Sequence, residues 1–345
     1  MPQANDLSRC LLTLEQDSTL IAVVELSQAS WLVAGIVPAV ERQPLKKIEA
    51  DEEALLRLLH RWRDEAARAG RAVTRVAVAF EAGRDGFWLA RWLRGERGRC
   101  TTAAIPTLEE EDAKRPNREH ESLVGERTRI VNRMRSALAR LGVRGFRPTL
   151  RKACERLGTL RTAEGAPLPP NTLAELRRDM ARLRLVREQI AEVEAARLER
   201  LEEEPGSRPH AMVRLLARVV GVGVETADML VREVLSRDLR DRRAVARYAG
   251  LTGSPDESGR RRREKGLAKA GNARVRHGMV QLAWRFLLFQ RESALARWYR
   301  ERTADARGGT RKTMIVALAG KLLIALWRLV TTGAMPEGVV LRPAA

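Results

Sequence analysis

A chain of 345 residues with 44% hydrophobic content is long enough for two or three folded domains. Its 64 Lys and Arg against 44 Asp and Glu give a net charge of +20 and a pI near 11.1. Such a field suits a polyanion, nucleic acid first and an anionic membrane second. Three scattered cysteines exclude a disulfide scaffold, and four histidines at no ligand spacing argue against zinc.

No apolar run reaches the roughly 18–20 residues of a membrane span. The opening MPQANDLSRC lacks the charged start and apolar core of a signal peptide. The expectation is a cytoplasmic protein with no membrane segment.

In chain order, residues 18–40 read as a β-hairpin, STLIAVVEL and WLVAGIVP around a short polar turn. Glu25 stands near the end of the first strand. Residues 51–69 have helical periodicity through Leu55, Leu58, Leu59 and Trp62, with Gly70 as a stop. Residues 74–80 form a further strand that runs into Glu81 and turns through Gly83 into a helix. Two carboxylates at neighbouring strand ends, Glu25 and Glu81, can hold magnesium for phosphodiester chemistry. Glu81 reads equally as a cap of the following helix, and Glu25 reads first as an edge residue.

Residues 117–141 are a long polar helix, and 142–170, punctuated by Gly and Pro, are a connection. Asn171 then caps a second long helix whose apolar stripe, from Leu173 through Leu183 and Ile190 to Leu201, has near-heptad spacing. The two helices suit either an antiparallel hairpin or a dimer seam, so a homo-oligomer through a coiled coil is expected. Residues 204–209 read as a linker.

From His210 the pattern is helix, Gly-Val-Gly turn, helix. Gly221 and Gly223 match the helix-hairpin-helix pattern, whose open turn lets backbone N–H groups meet a DNA phosphate. A plain helical corner fits the same residues. Next comes the stretch from Tyr248 to His277. Its turn residues Gly250, Gly253, Pro255 and Gly259 lead into eight Lys or Arg against one Glu: Arg260, Arg261, Arg262, Arg263, Lys265, Lys269, Arg274 and Arg276. One hydroxyl, Ser258, stands where turn meets basic run. By local composition this is a solvated basic loop. A hydroxyl among arginines also suits phosphoryl transfer on DNA, with the cations holding phosphate. The chain closes with two apolar helices; the last, ending at Gly333, reads as a core helix too interrupted by Lys321 and Arg328 to span a membrane.

The motifs GVGVETADML (221–230), ARYAGLTGSPDESGRRRREKGLAKAGNARVR (246–276), the closing TRKTMIVALAGKLLIALWRLV and, near the N-terminus, FEAGRDGFWLARWL (80–93) together resemble the bacterial insertion-sequence transposases of the one-ten and eleven-eleven (DEDD) type. The resemblance covers nearly the whole chain. It implies a ribonuclease H-like domain that binds magnesium through four acids. A coiled coil would join it to a helical domain whose serine forms a covalent phosphoserine link with DNA, in some members under a structured guide RNA. Carried over, the serine is Ser258, the second acid Glu81, and the first acid Glu25, where the family has Asp. The KTDxxDA-like segment that supplies the last two aspartates is missing, which implies an internal deletion. The expected architecture is therefore α+β and mostly helical. It comprises a truncated ribonuclease H-like domain over 1–116, a coiled-coil region over 117–205, and a helical domain with the serine loop over 206–345. The implied partners are DNA and a guide RNA, and the implied cofactor is magnesium. A truncated protein that binds nucleic acid without cutting it is the alternative.

Overall fold

A computed structural model describes residues 15, 17–80, 86–97, 106–258, 261–267, 271–304 and 308–343. The chain divides into two compact units, Met1–Leu108 and Glu109–Ala345, within an α+β fold that is mostly helical.

The first unit holds a four-stranded sheet of β1 (Thr19–Glu25), β2 (Ser30–Ile36), β3 (Leu45–Glu49) and β4 (Arg75–Phe80), in the order β3-β2-β1-β4. Strands β1, β2 and β3 pair antiparallel, and β4 lies parallel to β1. The expected hairpin is β1 and β2, and β3 extends it by one edge strand. Alternation sets one face inward: Leu20, Ala22, Val24, Trp31 and Val33 pack on Leu55, Leu58, Leu59 and Trp62 of α1 (Glu52–Arg68). Asp51 caps α1 by accepting from Ala54 N at 2.8 Å, and Gly70 at φ +78° ends it. After β4 comes α2 (Gly86–Arg97).

The second unit begins with the acidic turn α3 (Leu108–Asp112) and continues into α4 (Arg115–Arg140), α5 (Ala153–Leu157) and α6 (Pro170–Glu203). Helices α4 and α6 run antiparallel, since Asn117 meets Arg197, His120 meets Glu194 and Arg133 meets Asp179. The stripe of α6 is buried at Leu176, Leu183, Val186 and Ile190 against Met134 and Leu138 of α4. Of the two arrangements the sequence allowed, the antiparallel hairpin within the chain is the one these positions form. The cap differs from expectation. Pro169 is the N-cap and Pro170 opens the helix, because proline's missing N–H costs nothing at a first turn, so Asn171 lies inside it.

The stripe is also interrupted by charge. Asp179 is 1% exposed and accepts from Arg133 at 2.9 and 2.6 Å and from Arg182 at 2.9 Å. The hydrogen bond from Arg133 leads in holding the Asp179 carboxyl below its usual pKa.

The remaining helices are α7 (Arg208–Ala217), α8 (Val224–Leu230) with a π-helical turn at Val231–Leu235, α9 (Arg242–Tyr248), α10 (Ala273–Phe289), α11 (Ala294–Thr303) and α12 (Gly308–Thr332). A two-stranded ribbon, β5 (Gly253–Ser258) and β6 (Arg261–Leu267), separates α9 from α10. By length and composition, Thr310–Thr332 is long and apolar enough to cross a membrane, contrary to the sequence reading. Its Leu318, Ala319, Leu322, Leu323 and Leu326 are nonetheless buried in the helical core with Met279, Leu282 and Phe286 of α10.

Candidate functional site

The serine stretch expected as a basic loop is an antiparallel ribbon. Its register pairs Ser254 with Lys265, Pro255 with Glu264, Asp256 with Arg263, Glu257 with Arg262 and Ser258 with Arg261. Ser258 is thus the last residue of β5, in the pair nearest the ribbon's turn. In register, Asp256–Arg263 and Ser254–Lys265 stand at alternate positions from the Ser258–Arg261 pair, with Glu257–Arg262 between them. Arg260 and Lys269 lie outside the described residues.

Both feet of the ribbon are fixed to one joint. Helix α9 is capped by Asp241, which accepts from Arg243 N and Ala244 N at 2.8 Å. It ends in a paired glycine stop: Leu251 N donates to Ala246 O and Gly250 N to Arg247 O, both at 2.9 Å, with Gly250 at φ +63°. On the returning side, Gly271 at φ +97° presses against that helix end. A Cβ there would lie 2.7 Å from Gly250 N and Tyr248 O and 2.8 Å from Arg247 O. Asn272 N donates to Tyr248 O at 2.6 Å. The Asn272 side chain caps α10, its Oδ1 accepting from Arg274 N at 3.0 Å and Val275 N at 3.2 Å. Its Nδ2 donates to Glu233 Oε2 at 2.9 Å. The YAGL and AGNARVR segments, twenty residues apart in sequence, are two halves of this one clamp.

Glu233 stands on the π-helical turn and is 3% exposed. Its other oxygen faces the guanidiniums of Arg274 at 3.6 Å and Arg118 at 3.7 Å. Arg274 also pairs with Glu121. This positive charge, expected to meet DNA, is therefore held by two carboxylates within the chain. Arg276 lies on α10, half-buried, its N–H donating to Asn272 O.

Beside the clamp, a buried polar network ties the α4–α6 pair to the helical core. Asp228 accepts from Asn117 at 2.8 Å and faces Arg232 at 3.4 Å and Arg197 at 3.6 Å. His120 is buried with Nδ1 2.9 Å from Glu225 and Nε2 3.0 Å from Glu194. The hydrogen bond with Glu225 leads in raising the His120 pKa and in lowering that of Glu225. His120, Glu194 and Glu225 are close enough to share a metal ion, the one such trio among the described residues. Each carboxylate, however, meets a different ring nitrogen, which suits a doubly donating imidazolium better than a metal ligand. None of these residues was singled out from sequence. The available signal was polar residues, Arg197 above all, at stripe positions of otherwise apolar helical faces.

The Gly-Val-Gly turn is packed rather than open. Gly221, at φ +96°, is buried, and a Cβ on it would lie 3.2 Å from Phe289. Val220 N donates to Val340 O at 3.1 Å, and Gln290 Nε2 donates to Val220 O and Val340 O at 2.8 and 2.9 Å. Gly223, half-buried, is the extended residue before α8. The turn is a helical corner held by the C-terminal segment.

In the first unit, Glu25 is exposed at the end of β1, where Val24 pairs with Phe80. Glu81, the residue after Phe80, lies outside the described residues. The described residues bring no group of three candidate metal ligands together at Glu25.

Residues 213–299 match the family described as Transposase IS116/IS110/IS902, a span containing the clamp and the ribbon. The chain is also 36% identical to a protein of Sinorhizobium fredii (strain NBRC 101917 / NGR234) named "Putative transposase y4rJ", over 92% of this chain and 93% of that protein. That alignment runs over 372 positions, whereas 92% of 345 residues is about 317, so about 55 positions of the relative have no counterpart here.

Proposed function

The chain belongs to the IS116/IS110/IS902 transposase family, and on that premise we propose that it binds DNA and cuts and joins it through Ser258. The observation that carries the reading is the position of this residue: the last pair of a basic ribbon whose two feet are clamped by Gly250, Gly271 and Asn272. Attack on one phosphodiester requires a nucleophile carried on a defined backbone, and the paired strands of the ribbon give residue 258 one. In the reaction the Ser258 oxygen forms a bond to phosphorus as the bond to one deoxyribose oxygen breaks. The serine proton passes to solvent or a base, and the departing sugar oxygen gains a proton. Rejoining reverses this with a sugar hydroxyl as nucleophile, so the phosphodiester energy is conserved. Arginines on the same ribbon supply positive charge for the phosphorane.

The sheet order β3-β2-β1-β4, with β4 parallel to β1, supports reading the first unit as the opening of a ribonuclease H-like domain. The roughly 55 positions that the relative has in excess support a deletion. For magnesium the donor set is thin, since Glu25 belongs to no group of three candidate ligands among the described residues. The same shortfall favours a second reading, in which the chain binds DNA, or a structured RNA, without cutting.

A denaturing-gel assay for a protein–DNA adduct, with element ends, flanking RNA and magnesium, separates the two. An adduct that Ser258→Ala abolishes supports the nucleophile. DNA retention with no adduct supports binding alone.

A further inference from the structure

The most cationic surface that none of the foregoing uses is the far end of the α4–α6 pair. From Arg135 to Arg161 the chain carries eight Lys or Arg and a single acid, Glu155. All eight cations are exposed, and among the described residues none lies within 4 Å of a carboxylate. This is unlike the other end of the pair, where Arg118, Arg197, Arg232 and Arg274 all face acids.

The turn that presents them is built, not slack. Phe146 inserts into the core with Leu138 and Leu157, leaving Arg144 and Arg147 exposed on either side of it. Gly142, at φ +71°, fits against Ala163 where a Cβ would meet it at 2.4 Å. Val143 N donates to Leu138 O and Ala163 N to Leu141 O, both at 3.0 Å, and Arg187 donates to Thr149 O at 3.2 Å. Arg135, Arg144 and Arg147 rim a shallow depression of about 390 Å³. At the usual 1.5 Å rise, this end stands roughly 30 Å along α4 from Asn117 at the buried network.

We propose that the tip of the α4–α6 pair is a second DNA-binding surface, one that holds the phosphate backbone of a duplex independently of base sequence. Unpaired guanidiniums on a fixed turn match phosphate geometry. The only aromatic side chain of the turn, Phe146, is buried, so there is no platform for stacking unpaired bases. The choice of DNA rests on the family reading, not on the role of Ser258.

The test uses the full chain with Ser258→Ala, so that binding is read without chemistry, and a fluorescent duplex of about 30 bp titrated over a range of salt. Replacing Arg144, Arg147 and Arg151 by Gln should leave the melting temperature unchanged and reduce the slope of log Kd against log salt by about 2.7, at about 0.9 per phosphate contact. The triple Lys variant should restore the slope. An unchanged slope in the Gln variant overturns the proposal, and Arg144→Gln alone, expected to lose about 0.9, repeats the test should the triple variant fold poorly. A tip-dependent slope larger on RNA duplex than on DNA overturns the choice of DNA. If the tip slope holds while wild type forms no adduct, the nucleophile reading fails and this surface stands.

Discussion

Replacing Asn272 by Asp is the sharpest probe of the clamp. Asp and Asn are about equal as helix N-caps, so capping alone predicts a change near zero. The structure predicts otherwise. Asn272 uses Oδ1 for the cap and Nδ2 for buried Glu233, 2.9 Å away. Asp keeps the first bond, removes the second and sets two carboxylates face to face. The lost hydrogen bond to a charged group is worth about 1.5–3 kcal/mol. Repulsion at this spacing in a medium of effective dielectric about 20 is about 6 kcal/mol, but protonating one carboxylate at neutral pH costs only about 4 and sets the ceiling. Attraction from Arg118 and Arg274 offsets part of this. The expected loss is about 2–4 kcal/mol near pH 7, shrinking toward pH 4.5 as the pair takes up a proton. Urea unfolding of wild type, Asn272→Asp and Asn272→Ala at the two pH values reads it out. Asn272→Asp as stable as wild type at pH 7 would show that Glu233 does not hold the clamp.

The clamp makes a second, graded prediction. Gly271→Ala should cost about 3 kcal/mol or more, from positive φ plus collision with backbone atoms that cannot rotate away. Gly250→Ala, at the helix stop, should cost only about 1 kcal/mol; equal midpoints for the two variants would refute the close contact. His120 has its pKa raised in the folded chain by Glu225 and Glu194, so its ion pairs stabilise fully below the unfolded value of about 6.5 and fade as pH rises through the folded one. Glu225 runs the other way, its contribution lost as pH falls through its depressed value. The melting temperature of wild type should therefore fall relative to His120→Gln between about pH 6 and pH 9, and parallel curves would exclude the imidazolium bridge.

What the sequence concealed follows from how each element is held. The serine ribbon has no apolar alternation, because β6 reads RRREKGL, so nothing in its pattern distinguishes a strand from a solvated run. Its form depends on backbone pairing and on a joint between residues far apart in sequence. Strand β3, LKKIE, is short and lysine-bearing as an edge strand tends to be, and its pattern is as silent as that of β6. The long helices were legible because their apolar stripes repeat over many turns. The charges within those stripes were not, since the partners of Arg197 and Asp228 come from α4, 80 and 111 residues away. Ser258 was legible as a residue and illegible as a place. Its motif pointed to it, but only the register shows it in the last pair of a ribbon.

The first unit bears on activity through its uncovered side. A sheet containing a parallel pair is normally sandwiched between layers, and such strands are apolar on both faces. Here α1 covers one face, while on the other Val23, Ile36 and Leu45 are 53%, 51% and 60% exposed. Exposed apolar residues on each of three adjacent strands make a patch of the kind that a covering layer normally buries. Between Phe80 and Leu108 the described chain supplies one helix, α2, and no further strand. The relative's surplus of about 55 positions is enough for a strand and the helices that would close such a face. Of the two observations only the bare face has a definite place, on the first unit. The clamp, ribbon and helical core that mount Ser258 lie in the other unit. Binding of DNA and loss of cleavage are therefore compatible in one chain, and the adduct assay should be read with that division in view.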